Sequence, residues 1–167
     1  MFLQRRNMAL HNTKIDLSKD KREKIIALLN NRLADASDLK SQAKQAHWNV
    51  KGMSFIALHE LFDDVATAVE GHIDLIAERI TTLGGTAMGT VRLAAENSTL
   101  TEYPHEITDG AAHVDALSTA LADFGKAVRK GIDEAADLGD QDTADIFTEV
   151  SREIDKQLWF VEAHIQA

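Results

Sequence analysis

Residues 54–85, SFIALHELFDDVATAVEGHIDLIAERITTLGG, contain the clearest structural signal in this sequence. From Leu58 to Leu83, apolar residues recur at steps of three and four positions, which is the spacing of an amphipathic α-helix. Ser54 stands at a suitable N-cap position. Gly84 and the glycine after it end the pattern. The stretch predicts one helix of roughly 30 residues, about 45 Å long.

Three further segments have the same periodicity and predict helices over about residues 18–49, 109–132 and 142–165. Residues 84–104 are rich in Gly, Ser, Thr and Asn and predict a long connection with one short helical piece near 91–96. A connection of this length lets the second and third long helices run parallel, whereas the two short links suit antiparallel neighbours. The expected fold is all-α, a ferritin-like four-helix bundle with a long crossover that carries a short helix.

The composition limits the chemistry and the partners of the protein. Its 167 residues include no cysteine, which excludes thiolate catalysis, disulfides and iron–sulfur clusters and leaves His, Asp and Glu as the good metal ligands. A formal charge of −9 disfavours general binding to nucleic acid. The longest apolar run, residues 25–29, is far too short to cross a bilayer, so we expect a cytoplasmic protein without a membrane partner.

Two pairs of hard metal ligands occur on the helix predicted from residues 54–85. His59 and Asp63 form one i,i+4 pair, and Asp74 and Glu78 form the other, so each pair lies on one helix face. His47, on the apolar stripe of the first helix, is a fifth candidate. Pairs of this kind also arise on ordinary solvated surfaces, and a single histidine on an apolar stripe is more often a hydrogen-bonded core residue.

The spacing between the two pairs favours a site shared by two chains. Asp63 and Asp74 are about 16 Å apart along one helix, so they do not bind the same ion within one chain. Positions 59 and 78 have the midpoint 68.5, and positions 63 and 74 have the same midpoint. Two antiparallel copies that cross there would join both pairs in a two-fold dimer. The small residues Ala66, Ala68 and Gly71 would permit a close approach.

With His47 from the neighbouring helix, each shared site would gather two imidazoles and three carboxylates, which suit Fe(II) or Mn(II). The segments around these ligands are KQAHWN at 44–49, FIALHELFD at 55–63 and HIDLIAER at 72–79. Together they resemble the signature of the Dps family of mini-ferritins. The similarity continues at 83–85, 103–104, 142–146 and 158–160 and covers nearly the whole chain from about residue 20.

The resemblance implies a hollow homododecamer with ferroxidase centres at its two-fold interfaces. One subunit would supply His47, His59 and Asp63, and its partner Asp74 and Glu78. The implied function is iron sequestration: Fe(II) is oxidised by hydrogen peroxide or dioxygen and stored inside the shell as ferric mineral, which protects DNA from oxidative damage. The implied metal is iron, as Fe(II) and Fe(III), and no organic cofactor is expected.

Two alternatives remain open at this point, and a third is disfavoured by the residues. A mainly architectural DNA-binding nucleoid protein would keep a vestigial or structural metal site. A helical interaction bundle without metal would leave the shared midpoint unexplained. An ordinary ferritin centre inside the bundle needs a Glu-x-x-His step on a core-facing helix, and the only such spacing is Glu102 to His105, which Pro104 interrupts.

Two tryptophans and a lysine belong to the surroundings of the predicted centre. Trp48 would lie beside the centre as a redox neighbour, and Trp159 is matched in the last helix. The alternative is that both are core aromatics. Lys44, about one turn before His47, would either hydrogen-bond near the site or form a surface salt bridge.

An acidic stretch near the last helix is the candidate for iron entry. Asp142 and Asp145 would attract cations if they gathered around a three-fold axis. Their alternative role is structural, as the N-cap and first-turn acids of that helix.

The segment before the first helix is the candidate for DNA binding. Residues 1–17 are predicted to form a flexible N-terminal arm, and residues 18–167 the bundle domain. The arm carries Arg5, Arg6 and Lys14. Twelve copies of such an arm would bind DNA in a strongly salt-dependent manner and would associate the protein with the nucleoid.

Overall fold

The computed structural model describes residues 10–166, so the predicted DNA contacts Arg5 and Arg6 lie outside the described residues. It has five helices: α1 Lys19–Asn49, α2 Phe55–Thr82, α3 Val91–Asn97, α4 Gly110–Asp137 and α5 Gln141–Glu162. An isolated β-bridge joins Lys51 to Asp109. No helix within the described range is long and apolar enough to cross a membrane.

The four long helices form a bundle, which confirms the predicted fold. Helix α1 packs along α2, and α4 packs along α5, while further contacts join α1 to α4 and α2 to α5. The short helix α3 lies in the crossover and packs against α1. Since α1 to α2 and α4 to α5 are joined by short links and α2 to α4 by the long crossover, the connectivity is that of the ferritin-like bundle.

The predicted apolar stripes form a single core. Phe62 of α2, Phe124 of α4 and Phe147 of α5 have no exposed surface. Full burial of a side chain of this size stabilises the folded state by about 1.5–3 kcal/mol. The core fixes the rotation of α2 about its axis, and therefore determines which α2 residues face solvent.

The helix ends differ from the predicted ones in two places. Helix α4 continues five residues past the expected end at Ile132 to Asp137, and α5 ends at Glu162 rather than near 165 because the chain turns over residues 163–165. The N-cap of α5 is Asp140, whose carboxylate accepts a hydrogen bond from the amide of Thr143. The prediction that Asp142 caps this helix is therefore wrong, and Asp142 lies in its first turn.

The crossover is attached to α1 by a buried carboxylate. Asp35 accepts hydrogen bonds from the backbone amide of Thr99 at 2.7 Å and from its hydroxyl at 3.1 Å. Arg32 forms an ion pair with the same carboxylate at 3.0 Å. Burial raises the pKa of Asp35, and the hydrogen bonds and Arg32 oppose that effect only in part. This cluster holds the crossover against the bundle.

The described part of the N-terminal segment lies against the bundle. The amide of His11 donates to the carbonyl oxygen of Gly84 at 2.8 Å. The buried guanidinium of Arg22 donates to the carbonyl oxygens of Leu83 at 2.8 Å and His11 at 3.2 Å. Lys14, in the same segment, is exposed.

Candidate metal centre

Two histidines from adjacent helices bind each other's backbone. His47 lies near the end of α1 and His59 in the second turn of α2, and the short link between the helices brings them together. Nδ1 of His47 lies 2.7 Å from the carbonyl oxygen of His59, and Nδ1 of His59 lies 2.8 Å from the carbonyl oxygen of His47. The rings stack with centroids 3.7 Å apart.

These contacts determine which ring nitrogen is available to a metal. A carbonyl oxygen only accepts hydrogen bonds, so each Nδ1 carries a proton, and in the neutral form of each ring Nε2 is the nitrogen with the lone pair. A hydrogen bond from the other ring nitrogen is the usual way in which proteins orient a histidine ligand. His47 and His59 are both half-buried, and they form a preorganised pair of nitrogen donors.

A carboxylate on the next turn of α2 adjoins the histidines. Asp63 accepts a hydrogen bond from the ammonium group of Lys44 at 2.5 Å. This bond holds the pKa of Asp63 below its usual range, and the charges of Lys44, His47 and His59 act in the same direction. The Lys44 ammonium also lies 5.7 Å from the centre of the Trp48 ring. Lys44 is therefore in contact with a predicted ligand.

The second predicted pair lies further along the same exposed face of α2. Asp74 and Glu78 are both exposed, and neither side chain has an ion-pair partner among residues 10–166. Within that range of one chain, no three His, Asp or Glu side chains come together to hold a metal ion. Within the described part of one chain, His47, His59 and Asp63 therefore do not make up a three-ligand site by themselves, and Asp74 and Glu78 do not complete one with them.

The burial of individual α2 residues corrects the prediction of which small side chains line the contact between two copies. Ala66 is only 3% exposed and faces the core of its own chain, so it does not line an outer surface. Thr67 and Gly71 are exposed, and Ala68 is half-buried. A Cβ atom at Gly71 would meet nothing within 4 Å in the chain.

The interpretation of the two tryptophans as core residues is also wrong. Trp48 is 67% exposed and Trp159 is 61% exposed. Trp48 follows His47 directly and lies at an open surface beside the histidine pair. Glu102 and His105, the one Glu-x-x-His spacing in the sequence, are exposed in the crossover, where the two side chains lie 3.3 Å apart.

The acids predicted for iron entry adjoin a polar cluster that sequence reasoning missed. The Arg79 guanidinium donates to Asp140 at 2.7 Å and to the Thr143 hydroxyl at 3.0 Å, and it lies 3.8 Å from Asp142. Asp142 and Asp145 are both exposed. Residues 79 and 140 are 61 positions apart, so no local pattern could have indicated this contact.

Comparison with known proteins decides the family. Residues 26–167 match the ferritin family, described as a ferritin-like domain. The chain is 45% identical over 159 residues to the DNA protection during starvation protein of Agrobacterium fabrum, with 95% of this chain and 98% of that protein covered. The chain belongs to the Dps family of ferritin-like proteins.

Solved structures of Dps proteins agree with this assignment. DpsC from Streptomyces coelicolor superposes with a TM-score of 0.91 at 30% identity, covering 100% of this chain and 97% of that one. The Dps protein of Vibrio cholerae, described as a member of a broad superfamily of ferritin-like diiron-carboxylate proteins, superposes with a TM-score of 0.86 at 26% identity over 95% of this chain and 99% of that one. Both the predicted family and the predicted fold are confirmed.

Proposed function

We propose that this Dps-family protein is an iron-storing ferroxidase that oxidises Fe(II) at centres shared by two subunits. The observation that carries the proposal is the histidine pair, whose Nδ1 atoms are both bound to backbone carbonyl oxygens, next to Asp63. On α2, His59 and Asp63 lie on the same helix face as the exposed Asp74 and Glu78. Imidazole nitrogen and carboxylate oxygen are suitable donors for Fe(II). Because one chain keeps the two groups apart, the complete centre requires a second copy.

The exposed face of α2 supports a two-fold pairing. Positions 59 and 78 and positions 63 and 74 share the midpoint 68.5, so antiparallel copies would bring His59 towards the partner's Glu78 and Asp63 towards the partner's Asp74. Glycine inside a helix destabilises it by about 0.5–1 kcal/mol relative to alanine. Nothing in its own chain requires a glycine at Gly71, whereas close contact with a second helix would.

The proposed reaction needs two Fe(II) ions and one peroxide. Each Fe(II) gives one electron, the O–O bond of hydrogen peroxide breaks, and two protons complete two water molecules while two Fe(III) ions form. Carboxylates hold the ions and stabilise the higher charge of Fe(III), and neutral imidazoles complete the ligand set. The pairwise transfer avoids release of hydroxyl radical. Dioxygen is the alternative oxidant.

Asp63 has a pKa below its usual range, which is itself well below neutral, so the carboxylate is ionised at neutral pH and offers its charge to a cation. Lys44 occupies one of its oxygens in the metal-free chain, so an arriving Fe(II) ion would displace or share that contact. Trp48, exposed next to His47, is proposed as a redox neighbour of the centre.

Storage would take place inside a dodecameric shell, as the membership in the Dps family suggests. Iron entry is proposed at Asp142 and Asp145. Asp142 faces the guanidinium of Arg79 at 3.8 Å, which offsets part of its charge. Asp145 is exposed and has no ion-pair partner in the described part of the chain, so it is the stronger attractor of cations.

DNA protection is the role stated in the name of the Agrobacterium relative. For this chain we propose protection through iron removal, with direct DNA contact through Arg5, Arg6 and Lys14 of the predicted arm. Lys14 is exposed and free to meet phosphate. A cytoplasmic, nucleoid-associated location follows from this proposal.

The test compares wild type with Asp74→Ala and with the control Asp123→Ala, an exposed aspartate on α4. Fe(II) oxidation by peroxide or dioxygen is followed by stopped-flow absorbance, and assembly by size-exclusion chromatography with light scattering. We expect fast oxidation by a large assembly, retained in Asp123→Ala and lost in an assembled Asp74→Ala. Equal rates in all three proteins would overturn the ferroxidase assignment and favour an architectural role.

A further inference from the structure

A tyrosine and a histidine form an isolated hydrogen bond inside the bundle. The hydroxyl of Tyr103, in the crossover, lies 2.7 Å from Nδ1 of His113 on α4. Tyr103 is 5% exposed and His113 is 1% exposed. The rings are nearly parallel, with centroids 6.0 Å apart. The Nε2 atom of His113 is buried and has no hydrogen-bond partner among the described residues.

The surroundings decide where the proton of this pair resides. Burial raises the pKa of Tyr103. Burial also lowers the pKa of His113, although Asp109 and backbone groups of Ile107 and Asn49 oppose that effect. At neutral pH the phenol is therefore protonated and the imidazole neutral. Because Nδ1 of His113 is the only partner of the Tyr103 hydroxyl among the described residues, the hydroxyl donates its hydrogen bond to the Nδ1 lone pair. The histidine is ready to accept the phenolic proton.

The pair is near residues that adjoin the candidate metal ligands in sequence. The ring of Phe62, the residue before Asp63, has its centroid 6.5 Å from that of His113. A backbone group of Asn49, two residues after His47, is close enough to His113 to raise its pKa. The amide of Lys51 donates to the carbonyl oxygen of Thr108 at 2.9 Å, which holds the end of the crossover against the α1–α2 link.

We propose that Tyr103 and His113 form a proton-coupled redox site, at which Tyr103 loses one electron and His113 Nδ1 takes the phenolic proton. A phenol that has lost an electron is a very strong acid, so its oxidation in a buried place requires a base in contact with the hydroxyl. His113 is at the distance that such a base needs. The only tyrosine of the chain occupies this position.

The oxidant of Tyr103 comes from the reaction of Fe(II) with peroxide, so this part of the proposal rests on the proposed function. When a single Fe(II) ion reduces peroxide by one electron, the products are Fe(III), hydroxide and a hydroxyl radical. An electron from Tyr103 reduces this one-electron oxidant to a second hydroxide, while the phenolic proton moves to His113. A further Fe(II) ion then returns an electron to the tyrosyl radical and becomes Fe(III), and His113 returns the proton. The cycle retains the outcome of two Fe(II) oxidised per peroxide.

The first experiment looks for the radical during iron oxidation. Assembled wild-type protein is loaded with Fe(II), mixed with hydrogen peroxide and freeze-quenched for electron paramagnetic resonance. We expect the signal of a neutral tyrosyl radical, narrowed when the protein contains ring-deuterated tyrosine. Tyr103→Phe should lose the signal completely, and the control Asp123→Ala, at an exposed position of α4, should keep it. A role of Tyr103 that is only structural predicts no tyrosyl signal in any of these samples.

The second experiment removes iron from the test. Metal-free protein is oxidised by flash photolysis with a ruthenium trisbipyridine complex and persulfate, and the tyrosyl absorption is followed in time. His113→Gln keeps a hydrogen-bond acceptor but lacks a base, and should slow radical formation about a hundredfold. In wild type, deuterated solvent should slow the same step. This comparison uses only the wild-type protein, so it does not depend on the folding of a variant.

The two experiments separate the possible failures. A radical after flash oxidation but none with iron and peroxide supports the redox site and counts against the proposed iron chemistry as its oxidant source. No tyrosyl radical in either experiment overturns the proposal. Equal rates in wild type and His113→Gln, without a solvent isotope effect, overturn the role of His113 as proton acceptor. Melting temperatures of Tyr103→Phe and His113→Gln establish that both variants are folded.

Discussion

His47 and His59 each donate from Nδ1 to the other's carbonyl oxygen, at 2.7 and 2.8 Å. Because the acceptors are backbone atoms, each ring is oriented by the fold rather than by the other ring. Replacement of one histidine therefore leaves the hydrogen bond of the other intact. The fold therefore orients each of the two proposed ligands by its own hydrogen bond.

We expect His47→Ala to lower the affinity for Fe(II) at least about tenfold. Removal of a group that only orients a metal ligand already lowers metal affinity about 10- to 100-fold, and loss of the ligand itself should cost no less. The reason is the loss of one nitrogen donor while His59 keeps its orientation. Anaerobic calorimetric titration with Fe(II) measures the change. His105→Ala, which removes an exposed histidine of the crossover, is the control. An affinity equal to that of wild type would exclude His47 as a ligand.

Replacement of Lys44 tests the competition between its ammonium group and iron for Asp63. Lys44→Met keeps the apolar stem but removes the charge 2.5 Å from the carboxylate. Half-exposed ion pairs contribute up to about 1 kcal/mol, so Fe(II) affinity should rise by no more than about fivefold. The same titration measures it, with Lys40→Met, which loses the ion pair to Glu70, as the comparison. A lower affinity in Lys44→Met would show that Lys44 assists binding instead.

Gly71→Leu separates the folding of the subunit from its assembly. The position has open space within the chain, and leucine is a better helix former than glycine by about 1 kcal/mol, so the subunit should fold. The larger side chain should prevent antiparallel copies of α2 from crossing closely. Light scattering should show a loss of the large assembly in Gly71→Leu but not in the control Lys126→Leu. A fully assembled Gly71→Leu protein would contradict the proposed crossing.

Asp140 and Asp142 should differ sharply in their effect on stability. Asp140 is nearly buried, caps α5 and is paired with Arg79. Removal of one partner of a buried ion pair costs about 3–5 kcal/mol, so Asp140→Ala should lower the free energy of unfolding by that amount. Asp142 is 84% exposed at 3.8 Å from Arg79, and Asp142→Ala should cost less than about 1 kcal/mol. Urea unfolding at fixed subunit concentration compares them, and equal losses would contradict the assignment of the cap.

The helices could be predicted from local patterns in the sequence. The three-and-four spacing of apolar residues predicted the four long helices, because helical periodicity depends on near neighbours. The short helical piece expected near 91–96 is the helix Val91–Asn97. The helix ends were less well predicted, and Asp140 was missed as an N-cap. Asp142 and Asp140 are both acids in the same short link, and only the backbone geometry decides which of them reaches the amide of Thr143.

By itself, the sequence determined the four-helix bundle, the family resemblance and the spacing of candidate ligands along α2, because all three are readable along the chain. The tertiary structure alone decided that Ala66 faces the core whereas Gly71 faces solvent, and that Trp48 and Trp159 are exposed. It also decided which ring nitrogen of His47 and of His59 is bound to a backbone carbonyl oxygen. It also brought together Lys44 with Asp63, Arg79 with Asp140 and Tyr103 with His113. These contacts depend on how the helices and the crossover pack, which no local pattern specifies.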